Sequence, residues 1–357
     1  MLLEFLYPLS KYSFIFNVFK YITFRTGGAI LFSALLMILL GNKFITLLKK
    51  YDLIQAKKRE DIPERHQKKE GTPTMGGILI IFSILITLLL WGNLRNEYTL
   101  PALIITLLFG GIGLWDDLSK RKKTLGIKGK TKFLIECALV LMWFSYIYYK
   151  TDFSTVLNVP FFKKLCTEIG ILYFILALLV IVGSANGVNL TDGLDGLAIG
   201  SVVTTAGVLL IVSYVTGNVK FANYLLIPYV KNAGELAVFC GAILGTGLGF
   251  LWFNAYPAQV FMGDVGALAL GAGLGTVAVL SKSEFVLFIA GMVFVIETVS
   301  VIIQVLSFKL TGKRVFRMTP IHHHFEINGI PEPKIIVRFW ILSILFGLFA
   351  LSTLKLR

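Results

Sequence analysis

The residues able to do chemistry in this chain are few, and most of them close or open a long apolar run. Asp116 and Asp117 end the run LLFGGIGLW. Asn189, Asp192 and Asp195 recur every third residue in NLTDGLDG. Asn254 precedes the string FMGD, which begins on Phe261 and ends on Asp264. His322, His323 and His324 sit in PIHHHFE, and Thr74 lies in GTPTMGG, just after Lys68 and Lys69. A chain this apolar places few carboxylates. Gathering them at one water–membrane boundary suits a single polar site, serving a substrate half in lipid and half in water.

Each string has a chemical reading and a plainer one. Adjacent aspartates at a helix C-terminus oppose the helix dipole and repel each other, so they need a cation or a basic partner. Asp116 and Asp117 are then a Mg²⁺-linked or base pair, or else a solvated helix end neutralised by Lys120, Arg121, Lys122 and Lys123. If NLTDGLDG opens a helix, its i, i+3 spacing stacks Asn189, Asp192 and Asp195 on one face. Gly193 and Gly196 would let a ligand or a second backbone approach. The plainer reading makes Asp192 or Asp195 the N-cap of the next span. Asp264 is likewise an N-cap or a hard-cation ligand, since a helix N-terminus favours an ionised carboxylate. Phe261 stacks on a flat base or anchors at the membrane interface.

Three consecutive histidines cannot all point one way and make a poor closed metal site. Two rings donating to a phosphate or polar headgroup fit better; the alternative is a solvated loop. Glycine, threonine and lysine around GTPTMGG suit a phosphate, without matching a Walker A loop. The plainer reading is a Pro-led helix start capped by Thr72. Glu136 and Glu297 fall inside apolar spans, to be paired with a basic partner or hydrogen-bonded in the bundle, with no catalytic role assigned.

These residues need elements to hold them. Of 357 residues, 56% are hydrophobic and only 15% charged, and mean hydropathy is +0.79. That excludes an ordinary soluble domain. A helix needs about 20 apolar residues to cross the hydrocarbon, and ten such runs are expected. They are 24–47, 73–93, 99–115, 132–150, 169–187, 196–216, 234–253, 264–281, 285–308 and 335–354. The runs do not alternate as barrel strands do. The fold class is therefore all-α: a polytopic membrane protein forming one domain over 1–357. Residues 1–22, aromatic and amphipathic, read as an interfacial helix. No signal peptide is expected. Segment 151–168 has room for a small hairpin or lid. The span 285–308 is long enough to bend or protrude.

Charge sets the topology. Segments 49–69, 120–132 and 309–334 carry eight, seven and five Lys/Arg. Positive loops stay in the cytoplasm. Both termini are then outside, and the loops at about 48–72, 116–131, 188–195, 254–263 and 309–334 lie inside. Each inside loop holds one of the polar strings. Topology and anionic lipid account for most of the net charge of +14. They account less well for Lys69, Lys120 and Lys132, close to the strings. No nucleic-acid partner is expected, since no soluble module is present. Cys137, Cys166 and Cys240 have no metal or redox spacing. The glycine-rich stretch 241–249 packs helices within one chain or between two, so a homodimer stays open.

GTPTMGG, GLWDD, NGVNLTDGLDGL, FMGD and PIHHHFE, in this order over about 69–326, resemble the polyprenyl-phosphate N-acetylhexosamine-1-phosphate transferases. PIHHHFE and GTPTMGG favour the phospho-N-acetylmuramoyl-pentapeptide transferase branch over the N-acetylglucosamine branch. The resemblance implies a Mg²⁺-dependent enzyme of the bacterial cytoplasmic membrane. It implies that undecaprenyl phosphate attacks UDP-N-acetylmuramoyl-pentapeptide on the cytoplasmic face, giving lipid I and UMP. On that footing Asp264 is the expected Mg²⁺ ligand with Asp117 a possible second, and Asp116 positions or deprotonates the lipid phosphate; a double displacement with Asp116 or Asp264 as covalent nucleophile stays open. By resemblance, Lys69, Thr74, Asn189, Asp192, Asn254 and Phe261 line the uridine and phosphate pocket, with Asp195 assisting. His322, His323 and His324 contact the sugar-side phosphate or nearby groups, and Lys120 and Lys132 supply positive charge. The rival readings are an N-acetylglucosamine-1-phosphate transferase and, from another class, an ion-coupled transporter, whose acids would sit nearer the midplane.

Overall fold

The computed structural model describes residues 2–51, 71–122, 126–158 and 166–355. The chain opens on a short helix α1 (Leu2–Leu6) and two 3₁₀ turns, Tyr7–Lys11 and Phe14–Lys20. The single interfacial helix expected over 1–22 is thus broken. Pro8, which lacks the N–H a continuing helix needs, sits in the first of these turns.

The apolar helices follow as α2 (Ile22–Lys50), α3 (Gly77–Trp91), α4 (Thr99–Lys122) and α5 (Gly129–Lys150). Strands β1 (Val156–Asn158) and β2 (Cys166–Glu168) pair antiparallel, forming the expected small hairpin. Then come α6 (Leu172–Thr191), α7 (Leu197–Thr216), the short α8 (Val219–Leu225), α9 (Leu236–Asn254) and α10 (Gly263–Leu280). The chain ends through α11 (Glu284–Ala290), α12 (Met292–Thr311), α13 (Ile321–Ile327) and α14 (Glu332–Ser352). Among the described residues, nine helices are long and apolar enough to cross a membrane. α3, at 15 residues, is the shorter tenth.

The differences from expectation are informative. α4 runs on to Lys122, so Asp116 and Asp117 lie within the helix and not beyond it. α6 runs on to Thr191. Hydropathy marks where hydrocarbon ends, whereas backbone hydrogen bonds decide where a helix ends. α3 starts only at Gly77, with Gly76 at its N-cap and no side-chain cap, so Thr72 does not start it. The expected span 285–308 is two helices interrupted at Gly291. Together these are too long for the hydrocarbon at 1.5 Å per residue. Only 22% of the α12 apolar window is buried, against 89% for α10. α12 therefore lies at the periphery of the bundle.

α10 is apolar around its whole circumference and is the central helix, as such a pattern requires. Its neighbours come close at small residues: Gly271 meets Ser184 on α6, Gly113 on α4 meets the backbone of Asp264, and Gly77 on α3 meets Gly266. These contacts bring the tips of four helices together at one end.

The other end is fastened differently. The buried Arg25 donates to both oxygens of Glu235, at 2.8 and 2.5 Å. Lys282 lies over the rings of Phe153 and Tyr173, 3.7 and 3.9 Å from their centroids, holding the segment before β1 against α6.

The stretch 241–249 is used within the chain. Gly241, Gly245 and Gly249 face α2 at Thr26, Ile30, Ser33, Ala34 and Met37. A Cβ at Gly245 would strike the Ile30 carbonyl and the Ser33 hydroxyl. Gly245→Val should therefore cost about 1–3 kcal/mol by overpacking. Thermal unfolding in detergent checks this, and an unchanged midpoint would refute the α2–α9 contact.

Candidate functional site

The polar strings converge at the N-terminal tip of α10. Asp264 stands in its first turn, 14% exposed at the side chain. Its Oδ2 lies 2.6 Å from Lys132 Nζ on α5 and 3.0 Å from Lys120 Nζ on α4. Asp116 Oδ2 lies 3.1 and 3.2 Å from the same two ammonium groups. Two lysines and two aspartates thus share one compact arrangement. Asp116 is buried and also accepts from the Ile127 N–H at 2.8 Å. It is no solvated helix end.

Asp117 turns the other way. Its Oδ2 accepts from Val265 N–H at 3.2 Å, and its Oδ1 is 3.9 Å from Lys120. It serves the N-terminus of α10, where a carboxylate is favoured by the helix dipole. The N-cap role considered for Asp264 therefore falls to a residue from another helix. Gly263 makes this approach with φ +73; a Cβ there would meet Asp117 Oδ2 at 2.7 Å and Thr74 Oγ1 at 3.2 Å. Only glycine takes that backbone shape readily.

Thr74 reaches the site because GTPTMGG pairs with FMGD. Phe261 N–H donates to Pro73, Gly76 N–H to Phe261, and Gly77 N–H to Met262, each at 2.8 Å. Two strings nearly two hundred residues apart form one short ladder. Phe261 is half-buried beside it. Lys69 lies outside the described residues.

NLTDGLDG closes α6 and does not open α7. Asn189 is in the last turn of α6, Asp192 is the C-cap residue, and the N-cap of α7 is Gly196, with no side-chain cap. The proposed N-cap role of Asp192 or Asp195 is therefore not found. Asp192 accepts from the Gly263 N–H, and burial, then the charges of Asp264 and Asp117, raise its carboxyl to about 7. Asp195 Oδ2 accepts from Ala258 N–H at 2.9 Å. Asn254 accepts from Gly196 N–H at 3.1 Å and donates to the Val260 carbonyl at 2.8 Å. Asp195 and Asn254 are both buried. These bonds stitch the loop 255–262 to the end of α6.

The three histidines point three ways. His322 is fully buried, with Nδ1 3.1 Å from Glu297 Oε2 on α12 and Nε2 pressed against Gly193. This gives the intramembrane Glu297 the basic partner expected of it. His323 Nδ1 lies 3.2 Å from Glu326, within its own helix. His324 Nδ1 accepts from Arg317 N–H at 3.2 Å. His322 is the one seen against Gly193, between the two aspartates of NLTDGLDG, among the described residues. Glu297, absent from the sequence-derived site, is recognisable afterwards as a carboxylate in a span with a histidine one loop away.

Asp116, Asp117 and Asp264 outnumber the two ammonium groups, and Asp192 adds a fourth carboxyl. The donors are all oxygen, which suits a hard dication. Among the described residues no three His, Cys, Asp or Glu close on a single point at ligating distance. A cation held here would take one or two carboxylates and keep water or substrate oxygens, as Mg²⁺ does.

Asp192 has a consequence for stability. Its native carboxyl keeps a proton up to about pH 7, whereas its ordinary value is 3.8. Between those values the folded state binds more protons, so its contribution to stability falls as pH rises. Asp192→Asn should remove a slope on the order of 2 kcal/mol across that window, allowing for partial exposure. Melting temperatures from pH 4 to 8 in metal-free buffer measure it. Parallel curves for both proteins would refute the assignment.

Comparison with known proteins gives the family. The model described as glycosyl transferase family 4 matches residues 99–282, from α4 to just past α10. The phospho-N-acetylmuramoyl-pentapeptide-transferase signature 1 matches residues 69–81, which include GTPTMGG. The phospho-N-acetylmuramoyl-pentapeptide-transferases of Oleidesulfovibrio alaskensis and Aquifex aeolicus are each 52% identical to it, over 360 and 359 residues. That of Citrifermentans bemidjiense is 51% identical over 361. Each alignment covers 100% of both chains. With half of all positions identical from end to end, the chain belongs to the phospho-N-acetylmuramoyl-pentapeptide-transferase family.

Proposed function

We propose that this chain transfers phospho-N-acetylmuramoyl-pentapeptide from UDP-N-acetylmuramoyl-pentapeptide to undecaprenyl phosphate, releasing UMP and forming lipid I. The observation that carries this reading is the end-to-end similarity to transferases of that name. The enzyme works in the bacterial cytoplasmic membrane, with the aspartate cluster on the cytoplasmic side and both termini outside. The basic segments 49–69, 120–132 and 309–334 support that orientation. Carboxylates gathered at one end of the bundle favour a boundary reaction over ion-coupled transport.

In the reaction an oxygen of the lipid phosphate bonds to the β-phosphorus of the sugar nucleotide. The bond from that phosphorus to the bridging oxygen breaks, and UMP departs. Both reactants are anionic, so the residues must first offset repulsion. Lys120 and Lys132, already placed between Asp116 and Asp264, bring two positive charges to the reacting phosphates. Asp116 positions the lipid phosphate. A phosphate monoester has its second pKa near ~6, so at neutral pH a base has little proton to remove. Positioning by the lysine–aspartate set then dominates. Thr74, Asn189, Asp192 and Phe261 line the nucleotide side, with Lys69 from the preceding segment. Asn254 and Asp195 hold the loop that carries Phe261. His322 backs the Gly193 turn, with His323 and His324 toward the sugar side. Asp264 and Asp117 would hold Mg²⁺, which would supply positive charge to offset that of the diphosphate.

Purified protein given Mg²⁺ and polyprenyl phosphate should release UMP from UDP-N-acetylmuramoyl-pentapeptide. Release from UDP-N-acetylglucosamine alone would place it in the other branch. Asp264→Asn should lower turnover at least ~100-fold with the fold kept. Near-normal turnover of that variant at low Mg²⁺ would defeat the metal assignment.

A further inference from the structure

One charged side chain close to the site has no part in the scheme above. Glu136 lies on α5, one turn beyond Lys132, so the two occupy the same helix face. It is fully buried. Asn186 Nδ2 on α6 donates to its Oε2 at 2.6 Å. Its other oxygen, Oε1, is enclosed and has no hydrogen-bond partner among the described residues. Leaving a carboxylate oxygen without a donor is costly, and more so in a membrane-spanning helix, where water does not reach. The groups acting electrostatically on this carboxylate are Lys132, Asp264 and Asp116, and Lys132 is the only cation of the three.

Lys132 has reason to need a second acceptor. Its ammonium has three hydrogens, and it donates to Asp116 and Asp264. Asp264 Oδ2 already has two ammonium groups within 3.0 Å. A divalent cation arriving at that oxygen has to displace at least one. A lysine displaced into apolar surroundings requires an anionic oxygen within reach of its stem. Glu136, four residues further along the same helix face, offers such an oxygen in Oε1.

We propose that Glu136 is a positioning residue that receives the Lys132 ammonium when Asp264 turns to a divalent cation. Asn186 fixes the carboxylate by one oxygen and leaves the other open for this. The proposal rests on reading Asp264 as the cation ligand, and deepens that reading by saying where the displaced charge goes.

The test is a Mg²⁺ titration of the full-length protein in detergent, read by thermal unfolding without substrate and by the Mg²⁺ dependence of UMP release. Glu136→Gln keeps the shape and the bond from Asn186 but removes the charge. Its Mg²⁺ midpoint should rise about tenfold in both readouts, the scale of one lost charge-assisted contact. In a Lys132→Met background the same change should move the midpoint by less than about twofold, since nothing remains to be received. Asn186→Ala, which breaks the α5–α6 brace and keeps the charge, should leave the midpoint within about twofold.

An unshifted midpoint in Glu136→Gln, or equal shifts with and without Lys132, would overturn the proposal while leaving the transferase reading intact. A midpoint raised as far by Asn186→Ala would reduce Glu136 to a brace and overturn it too. If Glu136→Gln gives no unfolding transition, Glu136→Asp replaces it: the shorter carboxylate should raise the midpoint about threefold, and an unchanged value overturns the idea. A wild-type protein whose melting temperature ignores Mg²⁺ would remove the cation site and this inference together.

Discussion

A carboxylate on the first turn of a fully enclosed apolar helix has to be neutralised by other helices. That is the position of Asp264 on α10. Its own helix supplies apolar packing and glycines, and its ammonium partners come from α4 and α5. The energetic demand is local, but meeting it fixes the relative depth of three helices. Once Lys120 and Lys132 reach Asp264, Asp116 is drawn to the same ammonium groups, and Ile127, just ahead of α5, donates to it.

The polar residues around this centre divide into those consumed by the fold and those left to a substrate. Asn254, Asp195 and one oxygen of Asp117 satisfy backbone groups of loops and of a helix start. In a membrane protein that work is unavoidable, since irregular backbone at the hydrocarbon boundary has little water to bond. Asp264 and the two lysines differ in that their side chains bond to one another rather than to the loop backbone. Residues that look equivalent in the sequence as one cluster of acids and amides thus have different tasks.

The two ends of the bundle are built to different rules. The end away from the site is fastened by the Arg25–Glu235 pair and by Lys282 resting on two aromatic faces. At the site, Asp116, Asp117 and Asp264 gather around the Lys120 and Lys132 ammonium groups, and one buried Glu136 oxygen has no hydrogen-bond partner among the described residues.

The sequence by itself determined the helical membrane class, the sites of the ten apolar segments and the strings that gather at one end. The reason is physical: burial of about 20 apolar residues per crossing, and confinement of polar groups to the ends, write themselves along the chain. The tertiary structure alone decided which helix end each acid serves. Asp117 rather than Asp264 bonds the amides at the start of α10, and NLTDGLDG ends a helix rather than starting one. It also decided that GTPTMGG and FMGD pair through backbone bonds, and that His322 meets Glu297. These contacts join residues far apart in the chain through backbone amides and side-chain direction, neither of which leaves a periodicity or a spacing to read.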